Sequence, residues 1–154
     1  MERIVKKLVE LNKTISTMES CTGGFVAHSI TNIDNSSWVF KFGAVTYSNE
    51  FKIKMGVDSN VIDKYSVYSM ETANEMSFNI CNFTNSDYGI GITGKLNRID
   101  EANPGGNDSL AFVSIYDKLN DTFYNREVKA VKSSRVENKE LILSEIIDML
   151  LNII

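Results

Sequence analysis

Residues Thr14 to Gly24 read T-I-S-T-M-E-S-C-T-G-G. A short apolar, β-branched run ends in Ser, Cys, Thr and two glycines just where a helical pattern begins. Such a stretch puts a hydroxyl and a thiol at a strand-to-helix turn. There, unpaired backbone N–H groups point outward, and α/β proteins gather catalytic and anion-binding groups. Ser20 and Cys21 are the candidate nucleophiles. The remaining sequence has to supply a group able to activate one of them.

The pattern around this turn alternates helices and strands. Ile4, Val5, Leu8, Val9 and Leu11 recur at helical spacing. Thr14 to Met18 reads as a strand, and Gly23 to Ile33 as a helix with Phe25, Val26 and Ile30 on one face. Trp38, Val39 and Phe40 form a short packed turn, and Phe42 to Tyr47 a second buried strand. Ser48-Asn49-Glu50 opens a helix that Gly56 ends. Asp58 to Tyr65 is a further short helix. Ser69 caps a longer one to Phe83, with Ala73, Met76, Ile80 and Phe83 facing inward. Tyr88 to Ile92 is a third strand, Y-G-I-G-I, whose glycines signal close approach of a helix. Lys95 to Asp108 is a polar loop holding the single proline, Pro104. Leu110 to Tyr116 and Thr122 to Val131 read as an antiparallel hairpin. Ser133 or Ser134 then caps a helix to Ile154, whose core face carries Leu141, Leu143, Ile146, Ile147, Leu150 and Leu151.

This order predicts one domain over residues 1–154: a three-layer α/β/α sandwich with a mixed, mainly parallel sheet and a C-terminal β-hairpin followed by a helix. If the first three strands are parallel, the loops after Met18, Tyr47 and Ile92 share one sheet edge, where α/β ligands bind. That edge then gathers Ser20, Cys21 and Thr22 with Tyr47, Asn49 and Lys52 and with Thr93 and Gly94.

The single histidine, His28, lies two helical turns beyond Ser20, too far for direct proton transfer. One histidine and two separated cysteines make no zinc set. Lysine or tyrosine is left as the base. Lys52 follows Tyr47 and Ser48 by one helical turn, so its ammonium can fold back to the same edge, and burial would lower its pKa. By spacing alone, Lys52 reads sooner as a surface lysine and Tyr47 as a strand-end aromatic, amphipathic cover and no more. Residue chemistry does not separate Ser20 from Cys21.

Composition bounds the partners. The net charge of −4 argues against nucleic-acid binding, while a small anionic ligand needs only one or two local cations. No apolar run is long enough to span a membrane. The N-terminus reads as an amphipathic helix, and Cys21 and Cys81 show no C-x-x-C spacing. Both features point to reduced thiols in a cytoplasmic protein.

The combination M-E-S-C-T-G-G at 18–24 and G-A-V-T-Y-S-N-E-x-K at 43–52 resembles the CinA C-terminal domain family, the nicotinamide-nucleotide amidases, in its single-domain form. The resemblance implies Ser20 as nucleophile, with Tyr47 and Lys52 as activating partners. It also implies Arg135 as a phosphate or active-site contact, and Glu19, Cys21, Thr22, Gly23, Gly24, Asn49, Thr93 and Gly94 around the substrate. The implied reaction deamidates nicotinamide mononucleotide to nicotinic acid mononucleotide and ammonia, with no metal or organic cofactor. Backbone N–H groups around Thr22 to Gly24 would hold the oxyanion or the 5′-phosphate. The implied partners are a pyridine nucleotide and a second copy in a homodimer.

The chain departs from the family pattern in three places. After Thr93-Gly94, the usual A-G-P is replaced by Lys95-Leu96-Asn97-Arg98, with Pro104-Gly105-Gly106 only later. Ser133 stands two before Arg135 in place of Gly, and Asn138 or Lys139 takes the place of a second arginine. Lys95 and Arg98 are candidates to hold the phosphate in place of the groups this chain lacks. The altered loop also leaves open an amidase for another substrate, or a binding module without turnover.

Overall fold

In the computed structural model, which describes all of residues 1–154, seven helices and five strands alternate. They are α1 (Glu2–Glu10), β1 (Ile15–Glu19), α2 (Phe25–Thr31), α3 (Ser36–Val39), β2 (Phe40–Val45), α4 (Asn49–Lys54), α5 (Ser59–Tyr65), α6 (Met70–Thr84), β3 (Tyr88–Gly94), β4 (Leu110–Asp117), β5 (Thr122–Lys129) and α7 (Arg135–Ile153). The strands form one sheet in the order β2-β1-β3-β4-β5. The β1 strand pairs in parallel with β2 and β3, and the β3–β4 and β4–β5 pairs are antiparallel. The three-layer mixed sandwich expected from the sequence is what forms, with two parallel and two antiparallel pairs where a mainly parallel sheet was expected.

Alternation along the strands divides the core. Ile15 of β1, Ile90 and Ile92 of β3, and Ala111, Val113 and Ile115 of β4 point toward α1, α2 and α7 in the larger hydrophobic cluster. Met18 points the other way, against Val57, Ile62, Met76 and Ile80 of the α5–α6 layer. The glycines of β3 explain how closely that second layer sits. A Cβ on Gly89 would lie 2.1 Å from the Ser77 carbonyl oxygen, and one on Gly91 2.2 Å from that of Ala73. Only a bare backbone lets α6 lie on β3 this way.

Helix ends follow side-chain capping. Ser48, Asp58 and Ser69 each accept a backbone N–H at the start of α4, α5 and α6. Ser134 and Glu137 make a reciprocal capping box for α7.

Some sequence expectations are corrected. The β2 strand is not buried: it is a sheet edge paired only to β1, with Phe42 and Val45 exposed. Trp38 and Phe83 face outward, and Phe83 is covered in part by Phe42 alone among aromatic rings. On α7, the fully buried apolar residues are Ile142, Ile146, Met149 and Leu150, while Leu141, Leu143, Ile147 and Leu151 flank them half-buried. Helix α2 begins at Phe25 and not at Gly23, because Gly23 and Gly24 take positive φ values of 63° and 90°. Those values suit glycine and hold the chain in a turn for two further residues. No helix is long and apolar enough to cross a membrane.

Candidate active site

The C-terminal ends of β1, β2 and β3 meet at one edge of the sheet. The ladder runs past the end of β1: Ser20 N–H donates to the Ile92 carbonyl at 2.9 Å, and Thr46 N–H to that of Glu19 at 2.9 Å. Ser20 is thus fixed by the sheet itself, and its hydroxyl emerges where the chain turns toward α2.

The turn is shaped by Glu19, which is fully buried. Its carboxylate accepts the N–H groups of Gly24 (3.1 Å), Val26 (3.1 Å) and Ala27 (2.8 Å) at the start of α2. It occupies the donors that an anionic ligand at this helix end would need. Gly23 N–H is spent on the Ser20 carbonyl and Phe25 N–H on that of Thr22. Within the turn, only the Cys21 and Thr22 N–H groups lack a protein oxygen as acceptor. Of the N–H groups expected to form a cradle at Thr22 to Gly24, only that of Thr22 is left without an acceptor oxygen, together with that of Cys21 before it.

Lys52 arrives from the second turn of α4. Its side chain is 1% exposed, and its Nζ lies 3.1 Å from Ser20 Oγ and 2.8 Å from the Thr46 carbonyl oxygen. Burial pushes its pKa from 10.5 down to about 8, with Cys21 and Asp100 pulling the other way. A neutral amine here keeps one N–H on Thr46 and has its lone pair free for Ser20, so it can take the serine proton. The Thr46 carbonyl sets that orientation. The sequence carries no signal for it, because any residue provides a carbonyl.

Cys21 sits beside this pair, 3% exposed. Burial pushes its thiol up to about 12, against the pull of Arg135 and Lys52. A thiol so placed stays protonated at neutral pH and is a weak nucleophile. Both cysteines are free.

Ser20 and Cys21 open into a cleft of about 640 Å³ whose walls include Tyr47, Asn49, Gly94 and Arg135. The Tyr47 hydroxyl accepts from Arg135 Nη2 at 3.4 Å, and its side chain is largely exposed. Tyr47 faces the ligand space beside Arg135 and does not stand between Ser20 and Lys52. The remaining wall is the loop after Gly94. Tyr68, which the sequence did not single out, donates its hydroxyl to Asp100 of that loop. Asn49 donates to Asn103 at 2.9 Å, and Asn103 to Asp100 at 2.9 Å.

Several expected residues lie outside the cleft wall. Thr93 Oγ1 is turned to the Val67 carbonyl at 2.9 Å, so it anchors the α5–α6 connection. Thr22 is buried behind the turn with its Oγ1 unpaired. Gly23 lies toward Lys139 of α7 and Gly24 toward Val45 of β2. Lys95 and Arg98 both line the cleft: Lys95 is neutralised by Asp108 at 2.8 Å and packs on the Tyr68 ring, whereas Arg98 has no ion-pair partner. His28 is on the outer side of α2, against Asn32 and Phe25. No group of three or more metal-ligating side chains gathers anywhere in the chain.

The sequence matches the CinA C-terminal domain over residues 1–153. The chain belongs to the CinA C-terminal domain family. Curated relatives are named as competence-damage inducible proteins. One from Thermoanaerobacter sp. (strain X514) is 44% identical over 96 residues, covering 61% of this chain and 23% of its own length. Another, from Alkaliphilus metalliredigens (strain QYMF), is 38% identical over 121 residues, covering 75% and 28%. The chain thus spans about a quarter of these relatives' length. Among solved structures, the competence/damage inducible protein of Agrobacterium tumefaciens superposes with a TM-score of 0.87 at 26% identity, over 97% of this chain and 90% of that one. A CinA superfamily protein of Escherichia coli superposes at 0.89 with 21% identity, over 99% and 87%, a likeness of fold. In this CinA C-terminal domain, the two motifs that carried the resemblance meet in space through Ser20 and Lys52.

Proposed function

We propose that this chain is a serine amidohydrolase that deamidates a pyridine nucleotide, nicotinamide mononucleotide, to the corresponding acid and ammonia. The carrying observation is the buried Lys52 Nζ at 3.1 Å from Ser20 Oγ, held from behind by the Thr46 carbonyl. A lysine buried without a carboxylate is costly, and its lowered pKa is the property a general base at neutral pH requires.

In this reading Ser20 Oγ attacks the carboxamide carbon while its proton passes to neutral Lys52. The tetrahedral oxyanion forms next to the free N–H groups of Cys21 and Thr22, which stabilise its charge as it develops. Lys52 returns the proton to the departing nitrogen, which leaves as ammonia, and an ester on Ser20 remains. Lys52 then takes a proton from water, hydroxide equivalent attacks the ester, and Ser20 recovers its hydrogen as the acid is released. Arg135, steadied by Tyr47, and Arg98 serve as cations for the 5′-phosphate. Asn49 lies on the same wall. Glu19 acts indirectly by holding the turn. Thr93 and Gly94 shape the third loop.

The test is direct. Purified protein is incubated with nicotinamide mononucleotide while ammonia and nicotinic acid mononucleotide are followed. Product that vanishes in Ser20→Ala and Lys52→Ala supports the proposal. Product at the level of the Ser20→Ala control refutes it for this substrate.

A further inference from the structure

The loop that replaces the family's A-G-P segment builds a wall of the cleft and brings a carboxylate to it. Asp100 is fixed there by three donors: the Tyr68 hydroxyl, Asn103 Nδ2 at 2.9 Å and Ala102 N–H at 3.1 Å. All three are neutral, so they order the carboxylate without cancelling its charge. The bonds from Tyr68 and Asn103 hold its carboxyl below the ordinary range. Asp100 therefore presents a full negative charge to the cleft at neutral pH. Its field reaches Lys52, as that of Arg135 reaches Cys21. A charge of each sign thus lines the cleft that Ser20 opens into, Asp100 on the 97–103 loop and Arg135 at the start of α7.

The charges of the cleft balance. Lys95 is consumed by Asp108. Of the remaining lining groups, Arg98, Arg135, Asp100 and Glu101 make no ion pair within the chain. Two unpaired cations and two unpaired anions suit a zwitterion better than a simple anion. Two aromatic rings, Tyr47 and Tyr68, also line the cleft, and although Lys95 already lies over the Tyr68 ring, aromatic faces favour a flat cation over a neutral ring.

We infer that Asp100 is a specificity-determining residue that reads a fixed positive charge on the substrate's ring. The cleft thereby selects nucleotides with a quaternary, cationic base over uncharged ones of the same shape. The inference rests on the pyridine-nucleotide reading above and adds to it how this chain's altered loop contributes. The two guanidiniums take the phosphate end, and the loop carboxylate takes the ring end.

Nicotinamide mononucleotide and its dihydro form make the probe pair. They share ribose, phosphate and carboxamide and differ in ring charge, though reduction also puckers the ring slightly. Binding of both is measured by calorimetry on the Ser20→Ala protein, where no turnover intervenes. The expected result is a preference of about tenfold or more for the cationic form, the size of one partly screened charge contact. Adding Asp100→Asn should cut that ratio severalfold, leaving only what the rings and Glu101 contribute, and Asp100→Glu should restore most of it. A ratio near one in the Ser20→Ala protein, a ratio unmoved by Asp100→Asn, or no restoration by Asp100→Glu overturns the inference. Absence of binding by either nucleotide overturns it as well. Failure of the amidase reading looks different: charge-selective binding persists, but the native chain releases no ammonia.

Discussion

Lys52 reaches Ser20 across the site with its Nζ 3.1 Å from the hydroxyl oxygen, from a side chain that is almost wholly buried. Its second contact, to the Thr46 carbonyl, comes from the same strand end that leads into its own helix. The proposed base, the proposed nucleophile and the carbonyl that orients Lys52 are therefore fixed by two adjacent parallel strands and one short helix. No flexible loop intervenes among these three groups.

The pH dependence of turnover follows from this pair. As the proposed base Lys52 would act only when neutral, and burial holds its pKa at about 8. Activity should rise about tenfold per pH unit on the acid side and level off above that value. A kcat/KM profile for nicotinamide mononucleotide between pH 6 and 10 (about the span that brackets the transition) checks this. A flat profile through pH 8 would remove Lys52 as the titrating base.

Stability should carry the same signature. The folded pKa of Lys52 is depressed to about 8 from its ordinary 10.5. Between those values the unfolded chain is protonated at this site and the folded one is not. The unfolded state thus binds more protons, and this residue's contribution to stability improves as pH rises. Its penalty is full below pH 8 and gone above 10.5, an interval of about 3 kcal/mol. Lys52→Met removes the titration and, at every pH alike, the bond to Thr46. The variant's stability relative to the native chain should therefore be most favourable below pH 8 and decline steadily toward pH 10. Paired denaturant titrations at a series of pH values read that slope. Cys21 and Tyr68 titrate in both proteins and largely cancel.

The choice between the two neighbouring nucleophiles is testable by chemistry. Cys21 is held as a neutral thiol by burial. Cys21→Ala should keep activity within about threefold of the native chain, while Ser20→Ala loses it by about a thousandfold or more. Iodoacetamide at neutral pH should leave the native chain active. Inactivation by that reagent, traced to Cys21, would reverse the assignment.

Much of the arrangement was legible in the sequence because it rests on local rules. The strand-to-helix turn at Ser20, the caps at Ser48 and Ser69, and the close-packing glycines of β3 are all written in neighbouring residues. The convergence of Ser20 with Lys52 followed from parallel pairing of β1 and β2. What escaped is non-local. That β2 is an edge depends on the sheet order, since its apolar residues look the same whether covered or bare. The outward turn of Phe83 has the same origin. The resemblance put Glu19 around the substrate, but strand alternation points it to the opposite face, under α2. Asp100 lay in a stretch readable only as polar loop, and its place in the cleft depends on Tyr68, far away in sequence.

Glu19 yields the last prediction. Three backbone N–H groups of α2 end on its buried carboxylate. Glu19→Gln keeps the shape but loses the charge assistance and can offer only one carbonyl oxygen, so at least one N–H is left opposed to an amide donor. The cost should be about 2–3 kcal/mol, the usual loss for a buried charge-assisted contact. Activity should fall too, although Glu19 does not line the cleft. The carboxylate fixes the turn that carries the Cys21 and Thr22 N–H groups proposed for the oxyanion, so the loss should appear in kcat and leave KM nearly unchanged. Thermal unfolding gives the first quantity and steady-state kinetics the second. A variant as stable as the native chain, or one whose defect lay wholly in KM, would return Glu19 to the substrate side of the turn.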